Sequence, residues 1–174
     1  SVEIDQTVTA TIDIARRKAI AKNHTATHIL HWALRLVLGE HVKQAGSLVE
    51  DKRLRFDFTH FSALTPEEIR RVEQLANDKI FENHLVRCYV TSFEFAKDSG
   101  AIALFGEKYR DFVRVVEVDE FSKELCGGTH TGSTGEIGLI KIVSEGSIGT
   151  NLRRIEALTS QSALNYLTEK EEIL

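Results

Sequence analysis

From about Lys18 to Leu38, the residues Ile29, Leu30, Ala33, Leu34, Val37 and Leu38 recur at helical spacing yet cover more than one face of the helix they imply. A helix that is apolar on several faces must be surrounded by protein, so any fold of this chain has to wrap other elements around it. Gly39 is placed to end it. The wrapping elements follow along the chain. "HVKQAGSLVEDKRLRFDFTHF" reads as two short strands around the polar turn "EDKR", with Leu54, Phe56 and Phe58 alternating against Arg55 and Asp57. Thr65 and Glu68 make a capping box with Pro66 at the first helical position, and Ile69, Val72, Leu75, Ala76 and Ile80 continue at helical spacing. "LVRCYVTSFEF", "FVRVVEV", "GLIKIVSEG" and "LRRIEALT" alternate as strands, "AKDSGAIALFGEKY" mixes small residues and glycines, and Ser160 to Leu174 closes as a charged helix. Strands and helices mix without βαβ repetition, which predicts an α+β fold.

"VEIDQTVTATID" is β-branched and alternating, with no partner strand near it, and is expected to belong to a neighbouring unit. The chain has no methionine, even at its first position, which favours a piece excised from something longer. Its 174 residues suit one compact domain. No apolar run reaches the roughly 18 residues of a membrane span, and "SVEIDQT" lacks the order of a signal peptide, so neither membrane nor export is expected. The two cysteines lie far apart and Cys88 sits inside an apolar alternation, which argues against a disulfide framework and for a reducing cytoplasm. A net charge of −4 excludes a protein coated in positive charge, so any RNA contact must be local. Three clusters qualify: Arg16, Arg17 and Lys18; Lys52, Arg53 and Arg55; Arg153 and Arg154. Such clusters equally serve as solvated faces. Adjacent arginines on a strand point to opposite sides, so only one of Arg153 and Arg154 can face a given site.

In "NHTATHILHW", His24 and His28 project from one face of the helix and can share one ion or form a buried, hydrogen-bonded pair. His31, almost in line one turn further on, is either a rival ligand or an outer residue. "CGGTHTGSTGEIG" supplies the complement, because Gly127 and Gly128 tolerate positive φ and let the loop bend until Cys126 and His130 face one point. A thiolate with imidazoles suits zinc. The histidine spacing is shared with the zincin proteases, whose glutamate base stands beside the first histidine. Here that position is Thr25, so the peptidase chemistry loses its base.

"NHTATHILHWALRLVLGEHVKQAGSLVEDKRLRFDFTH", together with "CGGTHTGSTGEIG" and "NLRRIEALT", resembles the editing domain of alanyl-tRNA synthetases. The same fold is similar to the free-standing alanyl-tRNA editing proteins and to the editing domain of threonyl-tRNA synthetase. The likeness covers the chain from about Arg16 onward, with three separated motifs in order. It implies an α+β editing domain over 18–174, with a mixed or antiparallel sheet packed around the central buried helix, preceded over 1–17 by the trailing strand of an adjoining β-barrel or a linker. Carried over residue by residue, it assigns zinc to His24, His28, Cys126 and His130 and leaves His31 outside the ligand set. It implies that Thr27 and Gln44 line the aminoacyl pocket and act in catalysis, with Gly127, Gly128 and Thr129 also against the substrate. Arg16, Arg17, Lys52, Arg53, Arg153 and Arg154 are then candidate tRNA contacts.

The implied activity answers a physical need. A synthetic pocket built for alanine's methyl group cannot strongly reject an isostere with one added hydroxyl, or exclude glycine. A second site must then hydrolyse the wrong ester, and Thr27 with the Gln44 amide can bond serine's hydroxyl. The expected substrate is the 3′ end of alanine tRNA carrying serine or glycine, and the expected partner is the rest of the synthetase polypeptide. Four protein ligands fill a tetrahedral zinc, which favours a metal that organises the pocket. A zinc-stabilised tRNA-binding module without catalysis is the main alternative, and a small-molecule esterase the more distant one.

Overall fold

The computed structural model describes residues 3–103 and 109–172. In chain order the elements are α1 (Ile14–Leu38), β1 (Gln44–Val49), β2 (Leu54–Thr59), α2 (Pro66–Phe81), β3 (Val86–Ser92), α3 (Phe93–Asp98), β4 (Phe112–Val118), β5 (Ser122–Leu125), a 3₁₀ turn (Thr134–Ile137), β6 (Ile140–Gly149), β7 (Leu152–Thr159) and α4 (Ser160–Glu171). They form an α+β fold with two antiparallel sheets, one ordered β1-β2-β7-β6 and the other β3-β4-β5.

The helix that the apolar pattern demanded is the centre of the molecule. Ala26, Ile29, Leu30, Ala33 and Leu34 of α1 are fully buried among Leu54, Phe56 and Phe58 of β2, Ile155 and Ala157 of β7, and Val72, Ala76 and Ile80 of α2. Burying each of the leucine, isoleucine and phenylalanine side chains among these is worth about 1.5–3 kcal/mol, which fixes α1 against the larger sheet. Gly39 ends the helix with a positive φ of 113°, and its N–H bonds the Arg35 carbonyl. The start differs from the pattern: α1 begins at Ile14 because the Asp13 side chain caps it, accepting the Arg16 N–H at 2.9 Å. That first turn is exposed, so no apolar periodicity announces it.

The hairpin and capping box take the expected form. Val49 pairs with Leu54 across the "EDKR" turn, and Thr65 and Glu68 bond each other's backbone N–H with Pro66 in the first turn. Two elements depart from the alternation pattern. β3 stops at Ser92, whose hydroxyl accepts the Phe95 N–H at 3.2 Å and starts α3 where "SFEF" reads as continuing strand. Residues 3–13 form no strand among the described residues, and Ile4, Val8 and Ile12 stay exposed, since no neighbouring edge meets them. Residues 1–2, 104–108 within "AKDSGAIALFGEKY", and 173–174 of the closing helix lie outside the described residues.

Candidate metal centre

His24 and His28 stand one turn apart on α1, and the loop after β5 returns Cys126 and His130 to the same point. One ligand atom from each of the four lies within 4.8 Å of the others. The Cys126 Sγ is 3.4 Å from Nε2 of His24 and 3.4 Å from Nε2 of His130. A tetrahedral zinc with the usual bond lengths places sulfur and nitrogen ligands about 3.5 Å apart, so this donor set matches both the chemistry and the size of such an ion. The four residues can hold a metal ion.

The loop reaches this position by a different use of its glycines than positive φ. Among the described residues, the glycines with positive φ are Gly39, Gly100 and Gly138, and neither Gly127 nor Gly128 is among them. Gly128 is needed for closeness instead: a Cβ there would lie 1.9 Å from Cε1 of His24. Gly127 has nothing within 4 Å of such an atom and is exposed. The loop is also held from behind. One guanidinium nitrogen of Arg114, on β4, donates to the carbonyls of Cys126 at 2.8 Å and Gly128 at 2.7 Å.

Two of the three imidazoles have a side chain behind them. Thr25 is fully buried, and its Oγ1 lies 3.2 Å from Nδ1 of His130 while accepting the Thr131 N–H at 3.1 Å. Nε2 of His130 is turned to the centre and Nδ1 to the Thr25 hydroxyl, which fixes the plane of the ring. Behind His28 stands Glu124, a residue that motif reading passes over. Its Oε2 is 3.1 Å from Nδ1 of His28 and its Oε1 is 2.9 Å from Nδ1 of His31. His31 is thus outside the four-residue cluster and bound to this carboxylate. One signal in the sequence could have found Glu124: on a strand, residues two apart share a face, so Glu124 and Cys126 project together.

The cluster is strongly polarised. Burial opposes ionisation of the Cys126 thiol, but hydrogen bonds from His130, His24 and His28 outweigh it and pull the pKa down to about 3. Burial also lowers the His130 pKa to about 4, against the opposing pull of Cys126. His28 is buried as well, yet the Glu124 carboxylate and the Cys126 sulfur hold its pKa well above the ordinary imidazole value. Glu124 is held below the usual carboxylate range, since His28 and His31 overcome the burial penalty. A thiolate with neutral imidazoles is the state in which such groups bind a metal.

The other sequence candidates are spread around this centre. Thr27 is buried, and its hydroxyl donates to the Asn23 carbonyl at 2.9 Å. Gln44 lies instead at the start of β1, lining a cavity of about 250 Å3 with His31, Arg35 and Val42. Thr129 and His130 line a cavity of about 530 Å3 together with Arg17, Lys18, Lys22 and Glu136. Arg53 pairs with Glu50 and Glu156, each at 3.0 Å. Arg153 pairs with Glu145 at 2.6 Å, and Arg154 grips both oxygens of Asp57 at 2.7 and 2.8 Å. Arg16 is 4.0 Å from Asp51, while Arg17 and Lys52 form no ion pair among the described residues.

Residues 113–156, which include β4, β5 and the Cys126–His130 loop, match the family described as the threonyl and alanyl tRNA synthetase second additional domain. The chain is 59% identical over 167 residues to an alanine–tRNA ligase of Acetivibrio thermocellus, covering 96% of this chain and 19% of the relative. It is 58% identical over 174 residues to alanine–tRNA ligase 1 of Lachnoclostridium phytofermentans, covering 100% of this chain and 20% of the relative. It is 54% identical over 173 residues to the alanine–tRNA ligase of Thermoanaerobacter pseudethanolicus, with 99% and 20% covered. Over residues 113–156 the chain has the sequence of the threonyl and alanyl tRNA synthetase second additional domain, and along nearly its whole length it aligns with alanine–tRNA ligases. The chain spans about one fifth of the length of the curated relatives it matches. Among its described residues, no helix is long and apolar enough to cross a membrane.

Proposed function

We propose that this domain hydrolyses the ester joining serine or glycine to the terminal ribose of alanine tRNA, as the editing part of a cytoplasmic alanine–tRNA ligase. The observation that carries this reading is the convergence of His24, His28, Cys126 and His130 beside a cavity walled by cations. His24, His28, Cys126 and His130 would hold a zinc ion there, which would organise the pocket and supply a Lewis acid to an oxygen or amine of the substrate. The residues of the chain do the rest. Arg17, Lys18 and Lys22 offer positive charge to the sugar-phosphate backbone as the tRNA end passes Thr129 and His130. Gly127, Gly128 and Thr129 form the wall nearest the reacting ester. The Thr27 hydroxyl keeps lone pairs free after donating to Asn23, and with the Gln44 amide it recognises serine's hydroxyl. Arg53, Arg153 and Arg154 also stand as candidate phosphate contacts, each giving up an acidic partner to make one. The exposed segment 3–13 leads in from an adjoining β-barrel of the synthetase.

Metal analysis combined with deacylation of seryl-, glycyl- and alanyl-tRNA by this chain tests the proposal. Loss of seryl- and glycyl-tRNA beside intact alanyl-tRNA, with one zinc per chain, is the expected result. A second reading, a zinc-stabilised tRNA-binding module without catalysis, draws on the four protein donors, which fill a tetrahedral ion. It predicts tRNA binding with all three esters left intact.

A further inference from the structure

We propose that Glu124 is a positioning residue for the metal centre, setting the ring of His28 so that its Nε2 faces the other three ligands. The inference rests on reading His24, His28, Cys126 and His130 as one metal site. Glu124 is only 6% exposed, and a carboxylate taken out of water costs several kcal/mol unless it is paired. Its partners here are two imidazoles: Nδ1 of His28 at 3.1 Å on one oxygen and Nδ1 of His31 at 2.9 Å on the other. With Nδ1 of His28 turned to this carboxylate, Nε2 is the ring nitrogen left to meet an ion once the ring has given up its second proton. That nitrogen is the one a metal needs. Glu124 is not itself among the clustered donors, although its Oε2 lies 3.1 Å from Nδ1 of His28.

The surroundings hold the carboxylate in place. β5 is bonded to β4 along one edge, while the Ile102 N–H donates to the Lys123 carbonyl at 2.8 Å and the Leu125 N–H donates to the Ile102 carbonyl at 2.9 Å along the other. The side chain of Glu124 therefore leaves a backbone fixed on both sides. His31, which steadies its second oxygen, packs against the buried ring of Phe56 at 5.3 Å between centroids. Core, His31, Glu124 and His28 thus form one continuous support ending at the metal ligands.

The test compares the unmodified chain with Glu124→Gln, Glu124→Ala and His31→Gln. Three quantities are read: zinc affinity by chelator competition, the visible spectrum of the cobalt-substituted form, and the thermal midpoint of the metal-free protein. Glu124→Ala is expected to lose about 10–100-fold in zinc affinity and to shift the cobalt spectrum, the range found when a metal-bound histidine loses its outer partner. Glu124→Gln keeps the shape and one acceptor oxygen, so it should fold and lose less, with His31→Gln smaller again. A merely structural glutamate would lower the thermal midpoint and leave the affinity and cobalt spectrum unchanged, and that result overturns the proposal. Should the unmodified chain bind neither zinc nor cobalt, the metal site fails and this inference with it. Deacylation by the unmodified chain is scored separately, so an inactive chain whose zinc affinity still depends on Glu124 overturns the hydrolytic function alone.

Discussion

Gly128 and His24 occupy one another's space so fully that a single methyl group cannot be added between them. A Cβ on Gly128 would lie 1.9 Å from Cε1 and 2.3 Å from Nδ1 of the ring, far inside van der Waals contact. Since His24 is one of the four clustered donors and Arg114 holds the Gly128 carbonyl, neither partner can retreat without leaving the centre. Gly128→Ala is therefore expected to lower zinc affinity by about tenfold or more, the scale of losing a ligand's support. Gly127→Ala, with open space at its Cβ, should bind zinc as the unmodified chain does. Competition with a fluorescent chelator measures both, and equal affinities would mean the loop is softer than its packing indicates.

The protonation states predict how the centre responds to pH. Metal binding requires a thiolate and neutral imidazoles. In the metal-free protein Cys126, with a pKa near 3, is already a thiolate at neutral pH, and His130, near 4, is already neutral. His28, held above its ordinary value by Glu124 and Cys126, must lose a proton. Zinc uptake at neutral pH should thus release a proton from His28 and none from Cys126, with affinity rising as pH rises by about one log unit per pH unit from this group. In a Cys88→Ser background, the alkylation rate of metal-free Cys126 should be flat between about pH 5 and pH 8. A rate that climbs through that window would show an ordinary thiol.

How much of this was legible in sequence depends on the range of the interaction. The central helix, the "EDKR" hairpin and the Thr65–Glu68 box are local patterns, and each formed as its pattern demands. The four-residue cluster joins segments about a hundred residues apart, yet its members announce themselves by type and spacing. What remained hidden is what holds them. β5 has four residues with two charges among them, too short for an alternation signal, so only the two-residue spacing from Cys126 pointed to Glu124. Arg114 sits in an ordinary strand pattern, and its grip on the Cys126 and Gly128 carbonyls is purely tertiary. Gly128 was recognised as special for a conformational reason when the actual reason is contact with a ring on another element.

Thr25 and Thr27 are close in sequence but differ in what they hold, and valine in place of each separates them. Thr25 Oγ1 serves His130, the Thr131 N–H and the Thr131 hydroxyl in a fully buried setting. Thr25→Val leaves those groups unpaired, at a cost of about 1–3 kcal/mol in stability, and loosens His130 in the centre. Thr27 only donates back to the Asn23 carbonyl within its own helix. Thr27→Val should leave folding and zinc affinity close to those of the unmodified chain and reduce the preference for seryl- over alanyl-tRNA. Chemical denaturation and the two deacylation rates distinguish these outcomes, and a Thr27→Val chain that keeps its discrimination would remove Thr27 from serine recognition.

Charge placement separates the candidate tRNA contacts by their existing partners. Arg17 has no acidic partner among the described residues and shares a cavity wall with Lys18 and Lys22 beside His130. Arg153 and Arg154 are held by Glu145 and Asp57 through short ion pairs, so turning either toward a phosphate means exchanging one anion for another. Each phosphate contact steepens the fall of log affinity with log salt by somewhat under one unit. Arg17→Gln with Lys22→Gln should therefore weaken tRNA binding at low salt and flatten that slope by about one to two units, whereas Arg153→Gln should leave the slope within about half a unit of the original. Filter binding over a range of potassium chloride concentrations gives both slopes. If Arg153→Gln flattened the slope and the Arg17 and Lys22 pair did not, the tRNA end would approach from the β6–β7 face of the sheet rather than along the first turns of α1.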